Sequence, residues 1–374
     1  DQILGAFNDA EGARRFKMLS ATDLSEGKSL GLEGAGFDIV IVDEDSKINF
    51  NLGARGDAFS KQRLAQQIIG LLQGLQYEPL FDEPDAEGDR HSREQICSAV
   101  VDWADFDQEA FPCDLTGNYV AAGGEDSYYQ LLGDPYDRKN AAFDSLQELY
   151  MARGISDDFW HTFIEPDPAD PHSRVVTVWG GGKVNVNTAN AQATLGIVCA
   201  YAVEGTKLCE DPVEQAKFLG VLGMVKAFTA GIPVFGSPKA FVNALKGKGM
   251  FGAALQWMEL EPIQLKLEDE LLKAIDSQSH VFSIYATGYA TAGKRRTVRR
   301  IHAVVDFRGA PKPPDVGQLL AKAGLDEGAD ATQVQDALAA GLPAPTLPTG
   351  ASEDTLEAAF RPSPGGRVIY YRIE

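Results

Sequence analysis

Asp43-Glu44-Asp45-Ser46-Lys47-Ile48-Asn49-Phe50-Asn51 and Val184-Asn185-Val186-Asn187-Thr188-Ala189 are the two stretches on which the fold turns. In each, apolar residues alternate with asparagine just ahead of a helix-like run. A strand end that delivers side-chain amides can hydrogen-bond the entering backbone and tie it to the next element. This is scaffolding chemistry, with neither a nucleophile nor a base in the pattern.

Working outward from the first stretch, Phe37 to Val42 and Lys47 to Phe50 read as two strands of a β-hairpin around the acidic turn. Before them, Ile3, Phe7, Ala10 and Ala13 fall on one helix face, a pattern that implies a start partway down a longer helix. From residue 56 the period becomes helical. Leu64, Ile68, Leu71, Leu72 and Leu75 follow Ser60 as N-cap, Ser92 and Gln95 form a capping box, and Ser145 with Glu148 repeats it. Ser156 caps a further short helix. Thr188 opens another, and others start at Asp211-Pro212 and Ser237-Pro238. One strand pair, Arg174 to Trp179 with Lys183 to Asn187, interrupts them. The β period returns at Val281 to Tyr285, at Thr297 to Phe307 and at Arg367 to Arg372. The sequence thus predicts an α+β chain in three parts: a frame at 1–55, a mostly helical insertion at 56–276, and strands at 277–374 that complete the frame's sheet. The last part carries a Pro/Ala-rich excursion at about 309–365, and no internal repeat of fixed period is visible.

Composition narrows the function. The 374 residues are 44% hydrophobic and 24% charged, ordinary for a globular chain with several cores. With 54 Asp plus Glu against 34 Lys plus Arg, the formal charge of −20 repels nucleic-acid phosphates and anionic lipid. No apolar run reaches the roughly 20 residues of a membrane helix, and no signal peptide opens the sequence.

Cys97, Cys113, Cys199 and Cys209 contain no CxxC pair, which argues against zinc. Two local disulfides, Cys97 with Cys113 and Cys199 with Cys209, close most easily and suit an oxidising compartment, each contributing about 3 kcal/mol. Four reduced, buried thiols fit the sequence nearly as well. Gly247-Lys248-Gly249-Met250-Phe251-Gly252 satisfies GxGxxG but follows a helix-like run where a dinucleotide site needs a strand. Gly27-Lys28-Ser29 lacks the earlier glycine of a P-loop. His91, His161, His172, His280 and His302 show no metal-ligand spacing, and no serine sits in a nucleophile elbow. The expectation is a protein that is not an enzyme.

Six blocks in order are similar to the type II secretion minor pseudopilin K family: DEDSKINFN (43–51), DWADFD (102–107), GGEDSYY (123–129), DPYDRKNAAFDSLQELYMARGI (134–155), KVNVNTAN (183–190) and FGSPKAFVNAL (235–245). The resemblance covers roughly residues 1–307 and the last strand, and is weak over 201–233 and after Arg308. It implies a pilin-like N-terminal helix on a small antiparallel sheet, interrupted by a large helical domain. It also implies a periplasmic place at the tip of a pseudopilus, with I-type and J-type minor pseudopilins as partners. Inner-membrane anchoring would come through an N-terminal segment that this sequence does not contain. The secreted cargo or the outer-membrane channel would face the inserted domain.

The family resembled binds calcium, and the acidic residues Asp105, Asp107, Glu125 and Asp126 supply the hard oxygens that calcium prefers, with Asp114, Asn118 and backbone carbonyls to complete the set. The spacing is not that of an EF-hand, and composition alone favours a solvated acidic loop. The rival function is nucleic-acid binding by helix-hairpin-helix units, since Leu146 to Phe163 and the Asn-Thr-Ala segment have that cast. Against it, Asp157 and Asp158 stand where phosphate would approach. The one basic cluster, Lys294, Arg295, Arg296, Arg299 and Arg300, alternates with apolar residues as an exposed strand does.

Overall fold

The computed structural model describes residues 35–84, 88–113, 126–228, 233–293, 295–309 and 366–373. The helix expected around Ile3 and Phe7, the excursion at 310–365, and Asp114, Asn118, Glu125 and Lys294 lie outside them.

The chain is α+β. Strand β1 (Ala35–Asp43) leads through the acidic turn into β2 (Ile48–Asn49), helix α1 (Ala58–Leu72) and helix α2 (Arg93–Ala104). Short helical turns lead to β3 (Val176–Thr177) and β4 (Val184–Asn185). Then come α3 (Ala191–Tyr201), α4 (Pro212–Phe228), α5 (Pro238–Leu245), α6 (Gly249–Trp257), α7 (Glu268–Ala274) and β5 (Ile275–Asp276). Strands β6 (Val281–Ala292), β7 (Arg295–Asp306) and β8 (Arg367–Ile373) follow. The main sheet has the order β1-β6-β7-β8, so two segments far apart in sequence lie side by side. Val42–Phe282 forms a compact unit of its own. It starts ahead of residue 56 because Ile48, Phe50 and Leu52 are buried in its core.

Two expected pairings are replaced. β2 does not fold back on β1 but pairs in parallel with β3, Ile48 opposite Val176. β3 and β4 do not pair with each other either, since β4 pairs in parallel with β5, Val184 opposite Ile275. Parallel pairs need a long crossover, which the helices supply. The reason is the acidic turn: its side chains bind residues 177–188 and 279–281, which directs the chain away from a local hairpin.

The Val42–Phe282 unit is an approximate duplication. Each half runs from a two-residue strand through an Asn-x-Asn tripeptide into helices, then returns to a strand that pairs in parallel with the first. The leading helices, α1 and α3, pack on each other with Gly70 and Gly196 at the crossing. A Cβ on Gly70 would lie 2.4 Å from the Gly196 carbonyl oxygen. The repeat absent from the sequence is therefore present in the backbone.

Capping follows the sequence in part. Ser92 and Gln95 form the capping box of α2, and Ser156 and Ser237 accept from Phe159 and Ala240. Three expectations shift. Asp57, not Ser60, caps α1, because Ser60 already lies in the first turn and its N–H donates to Asp57 Oδ1 at 2.8 Å. Asn190, not Thr188, caps α3, leaving the Thr188 hydroxyl to donate to Asp43. Ser145 makes no cap bond, and Glu148 instead accepts from the Asp144 N–H at 2.8 Å.

Candidate functional site

The two Asn-x-Asn tripeptides form matching clasps. In the first, Asn49 Oδ1 accepts from the Asn51 N–H at 2.9 Å. Asn51 Nδ2 donates to the carbonyls of Phe143 (2.9 Å) and Val178 (2.8 Å), while its Oδ1 accepts from the Phe143 N–H (2.7 Å). In the second, Asn185 Oδ1 accepts from the Asn187 N–H at 3.0 Å. Asn187 Nδ2 donates to the carbonyls of Phe235 (3.0 Å) and Ser277 (3.1 Å), and its Oδ1 accepts from the Phe235 N–H (2.8 Å). Each second asparagine thus holds both main-chain groups of one phenylalanine and one carbonyl of the closing segment. The amide is the one uncharged side chain with a donor and an acceptor at this reach, which is why asparagine stands at both positions.

Both phenylalanines are anchored in aromatic clusters. Phe143 stacks on Trp103 with ring centroids 6.2 Å apart, and Phe235 meets Phe241 and Phe251 edge-on at 5.0 and 5.3 Å. Burial of the rings and hydrogen bonding of the backbone therefore act on the same residue.

The acidic turn ties the two halves together. Asp45 Oδ2 accepts from the His280 and Val281 N–H groups at 2.8 and 3.1 Å, and its backbone carbonyl accepts from the Asn185 N–H at 2.7 Å. Asp43 accepts from the Thr188 and Ser279 hydroxyls. Glu44 receives the Thr177 hydroxyl and lies 3.1 Å from Lys47 Nζ, an ion pair buried on both sides. Burial raises the Asp43 and Asp45 carboxyls and lowers the Lys47 ammonium, because each loses hydration of its charged form. Such groups specify position at a cost in desolvation.

The residues expected to bind calcium are brought partly together. Asp105 and Asp107 share Lys61, whose Nζ is 2.8 Å from Asp105 Oδ2. Asp126 is held by Arg138 Nε at 2.8 Å, and Arg138 Nη1 donates to the Asp102 carbonyl. The Asp105 side chain is fully buried and Oδ1 accepts no hydrogen bond, so burial raises its carboxyl despite Lys61. Among the described residues no three acids, histidines or cysteines converge as a complete metal set. Lys61, Arg138 and Asp102 are the residues that sequence reasoning missed at this corner. Asp102 had a signal, since it lies one helical turn before Asp105 in DWADFD.

Asp102 is the most perturbed acid. Burial pushes its carboxyl up to about 7, against donation from the Phe111 N–H (2.8 Å) and the Ser98 hydroxyl (3.0 Å), with Asp105 raising it further and Arg138 lowering it. A folded value above the unfolded one means the folded state binds the proton more tightly. The associated stability is present below the unfolded pKa of 3.8 and fades as pH rises through about 7. We expect Asp102→Asn to flatten the fall in stability between pH 5 and pH 8, a difference of about 2–4 kcal/mol at most. Urea melts of the calcium-free protein at both pH values check this, and parallel pH profiles for the two proteins would contradict it.

The four cysteines form Cys97–Cys113 and Cys199–Cys209, with Cα separations of 5.9 and 5.5 Å. Of the Gly247–Gly252 stretch, Gly247 and Lys248 turn the chain between α5 and α6 and Gly249–Gly252 is the first turn of α6, with a helix and no strand before it. No helix among the described residues is long and apolar enough to cross a membrane.

Residues 46–163 match the family model described as type II secretion system (T2SS), protein K. This stretch is similar to type II secretion protein K. It holds Asn49, Asn51, α1, α2, Phe143 and the Lys61–Arg138 corner, whereas Val178, which closes the first clasp, lies beyond it. Comparison with curated proteins gives no match. Among solved structures, the chain is similar to one in the GspK–GspI–GspJ complex from the enterotoxigenic Escherichia coli type 2 secretion system. That likeness has a TM-score of 0.45 and 14% identity, covering 76% of this chain and 78% of that one. At that level it adds no weight of its own to the protein K match.

Proposed function

We propose that this protein is a non-enzymatic minor pseudopilin of a type II secretion system, placed at the tip of the pseudopilus, where it starts or caps the filament for protein export. The observation that carries this reading is the sheet order β1-β6-β7-β8: β1 and β6 are neighbours although the whole Val42–Phe282 unit intervenes. A small sheet is a surface for stacking on like subunits, and a subunit loaded with a large insertion suits the end of a filament rather than its shaft. The match to protein K within that insertion supports the same assignment. The partners are I-type and J-type minor pseudopilins, the kind of assembly named for the E. coli structure. Its place is the periplasm, held to the inner membrane through a preceding segment. Co-expression with the I-type and J-type proteins of the same system, followed by mass measurement, tests it. A stoichiometric complex is expected, and a chain that stays apart from both would overturn the reading.

Calcium belongs to the same proposal. Asp105 Oδ1 is a buried hard oxygen that accepts no hydrogen bond, while Oδ2 pairs with Lys61, and such an atom fits a cation better than solvent. Asp105 and Asp107 would hold the ion, with Asp126 and Glu125 from the following loop, and Lys61 would compete for the first two. The ion would supply cross-linking charge and no reaction. Chelation is expected to lower the melting temperature by several degrees, because calcium binds the folded form alone. An unchanged melt on adding chelator, and again on restoring calcium, would remove the ion.

A further inference from the structure

Strand β7 is longer than the strand that covers it. It spans Arg295–Asp306, yet β8 pairs only with Ile301–Asp306, the register ending at Ile301 opposite Ile373. Beyond that point Arg295–Arg300 have β6 on one side, and among the described residues no strand on the other. All six side chains are exposed. Among the described residues, the main-chain donors and acceptors along this edge meet no strand, and the lane beside them continues the line of β8.

Four of the six residues are arginine. Strand alternation sends Arg295 and Arg299 to one face and Arg296 and Arg300 to the other. The Arg296 guanidinium lies over the Tyr289 ring of β6, 4.4 Å from its centroid, which holds that one charge on the side away from the lane and leaves Arg295, Arg299 and Arg300 to face a partner. In a chain of net charge −20 this is a local reversal of sign. Charges on a free edge keep out strands that carry the same sign, so a second copy, with the same arginine row, is repelled. An acidic strand meets the opposite field.

We propose that the lane beside Arg295–Arg300 accepts an extended acidic strand from a neighbouring minor pseudopilin, added to the sheet in continuation of β8. The proposal rests on the tip-complex reading above. Main-chain hydrogen bonds along the edge supply the affinity, and the arginines select carboxylates at alternate positions on both faces.

The test is the triple variant Arg295→Glu/Arg299→Glu/Arg300→Glu, which leaves Arg296 on Tyr289 and changes exposed side chains only. Its melting temperature should match that of the unaltered chain. Its affinity for the periplasmic domains of the I-type and J-type partners should fall about tenfold or more at low salt, and the unaltered chain should weaken as salt rises. A photo-crosslinking residue at Thr297 should capture a strand of one partner. Equal affinities for variant and unaltered chain would overturn the lane and leave the tip reading standing, whereas no complex with the unaltered chain would overturn both. Partner binding kept, with self-association or binding to phosphatidylglycerol vesicles lost in the variant, would assign the arginines to a second copy or a membrane and also overturn it.

Discussion

Asn51→Ala and Asn187→Ala are each expected to lower the unfolding free energy by about 3–5 kcal/mol, with nearly equal losses at the two sites. Each asparagine makes three main-chain hydrogen bonds, and alanine leaves one N–H and two carbonyls without their partners. The freed groups of Phe143 and Phe235 belong to buried residues packed in aromatic clusters, so their desolvation is not recovered. Asn49→Ala removes fewer bonds and should cost less. Urea denaturation with an unchanged m-value measures the difference. A loss below about 1 kcal/mol at either site would show that the clasp there is incidental.

The second large effect is expected at the crossing of α1 and α3. Gly70→Val should destabilise the protein by about 4 kcal/mol or more. Even the β-carbon would lie 2.4 Å from the Gly196 carbonyl oxygen and 2.6 Å from the Ala200 nitrogen. Both are backbone atoms of a helix, which no rotamer change can move. The two helices must separate, and that opens the centre of the duplicated unit. Gly220 in α4 is the control, since a Cβ there meets nothing within 4 Å. Gly220→Ala should be neutral or stabilising by up to about 1 kcal/mol through helix propensity. Equal effects at the two glycines would contradict the close crossing.

Local signals explain which parts of this fold were legible. The helices from Pro212 to Phe228 and Pro238 to Leu245 begin at their sequence-encoded caps because proline and serine act on their own backbone neighbours. The strands at 281–292, 295–306 and 367–373 follow from β-branched and aromatic runs. The pairing of β2 was not legible. Its partner, Val176, lies far along the chain, and nothing in Ile48-Asn49 distinguishes a parallel neighbour from a hairpin one. The duplication escaped for a related reason: what the halves share is the bonding of Asn51 and Asn187, not residues at a fixed spacing.

The acidic corner shows the same limit. Asp105 and Asp107 announce oxygen chemistry by themselves, whereas Lys61 and Arg138 reach them from other elements. A list of acids therefore overstated their freedom. Two are ion-paired to one lysine and a third to an arginine, so any cation must compete with charges already in place.

The proposed role in secretion depends most on β1 and β6 being neighbours in one sheet although the Val42–Phe282 unit separates them in sequence. Cross-strand NOEs on a deuterated, selectively labelled chain measure this directly, with Gly36 against the Tyr289 ring as the key pair, since a Cβ on Gly36 would overlap that ring. A strong Gly36–Tyr289 NOE, with main-chain NOEs continuing between the two strands, is the predicted result. Their absence, with Tyr289 showing NOEs to β7 alone, would contradict the shared sheet and the tip assignment built on it.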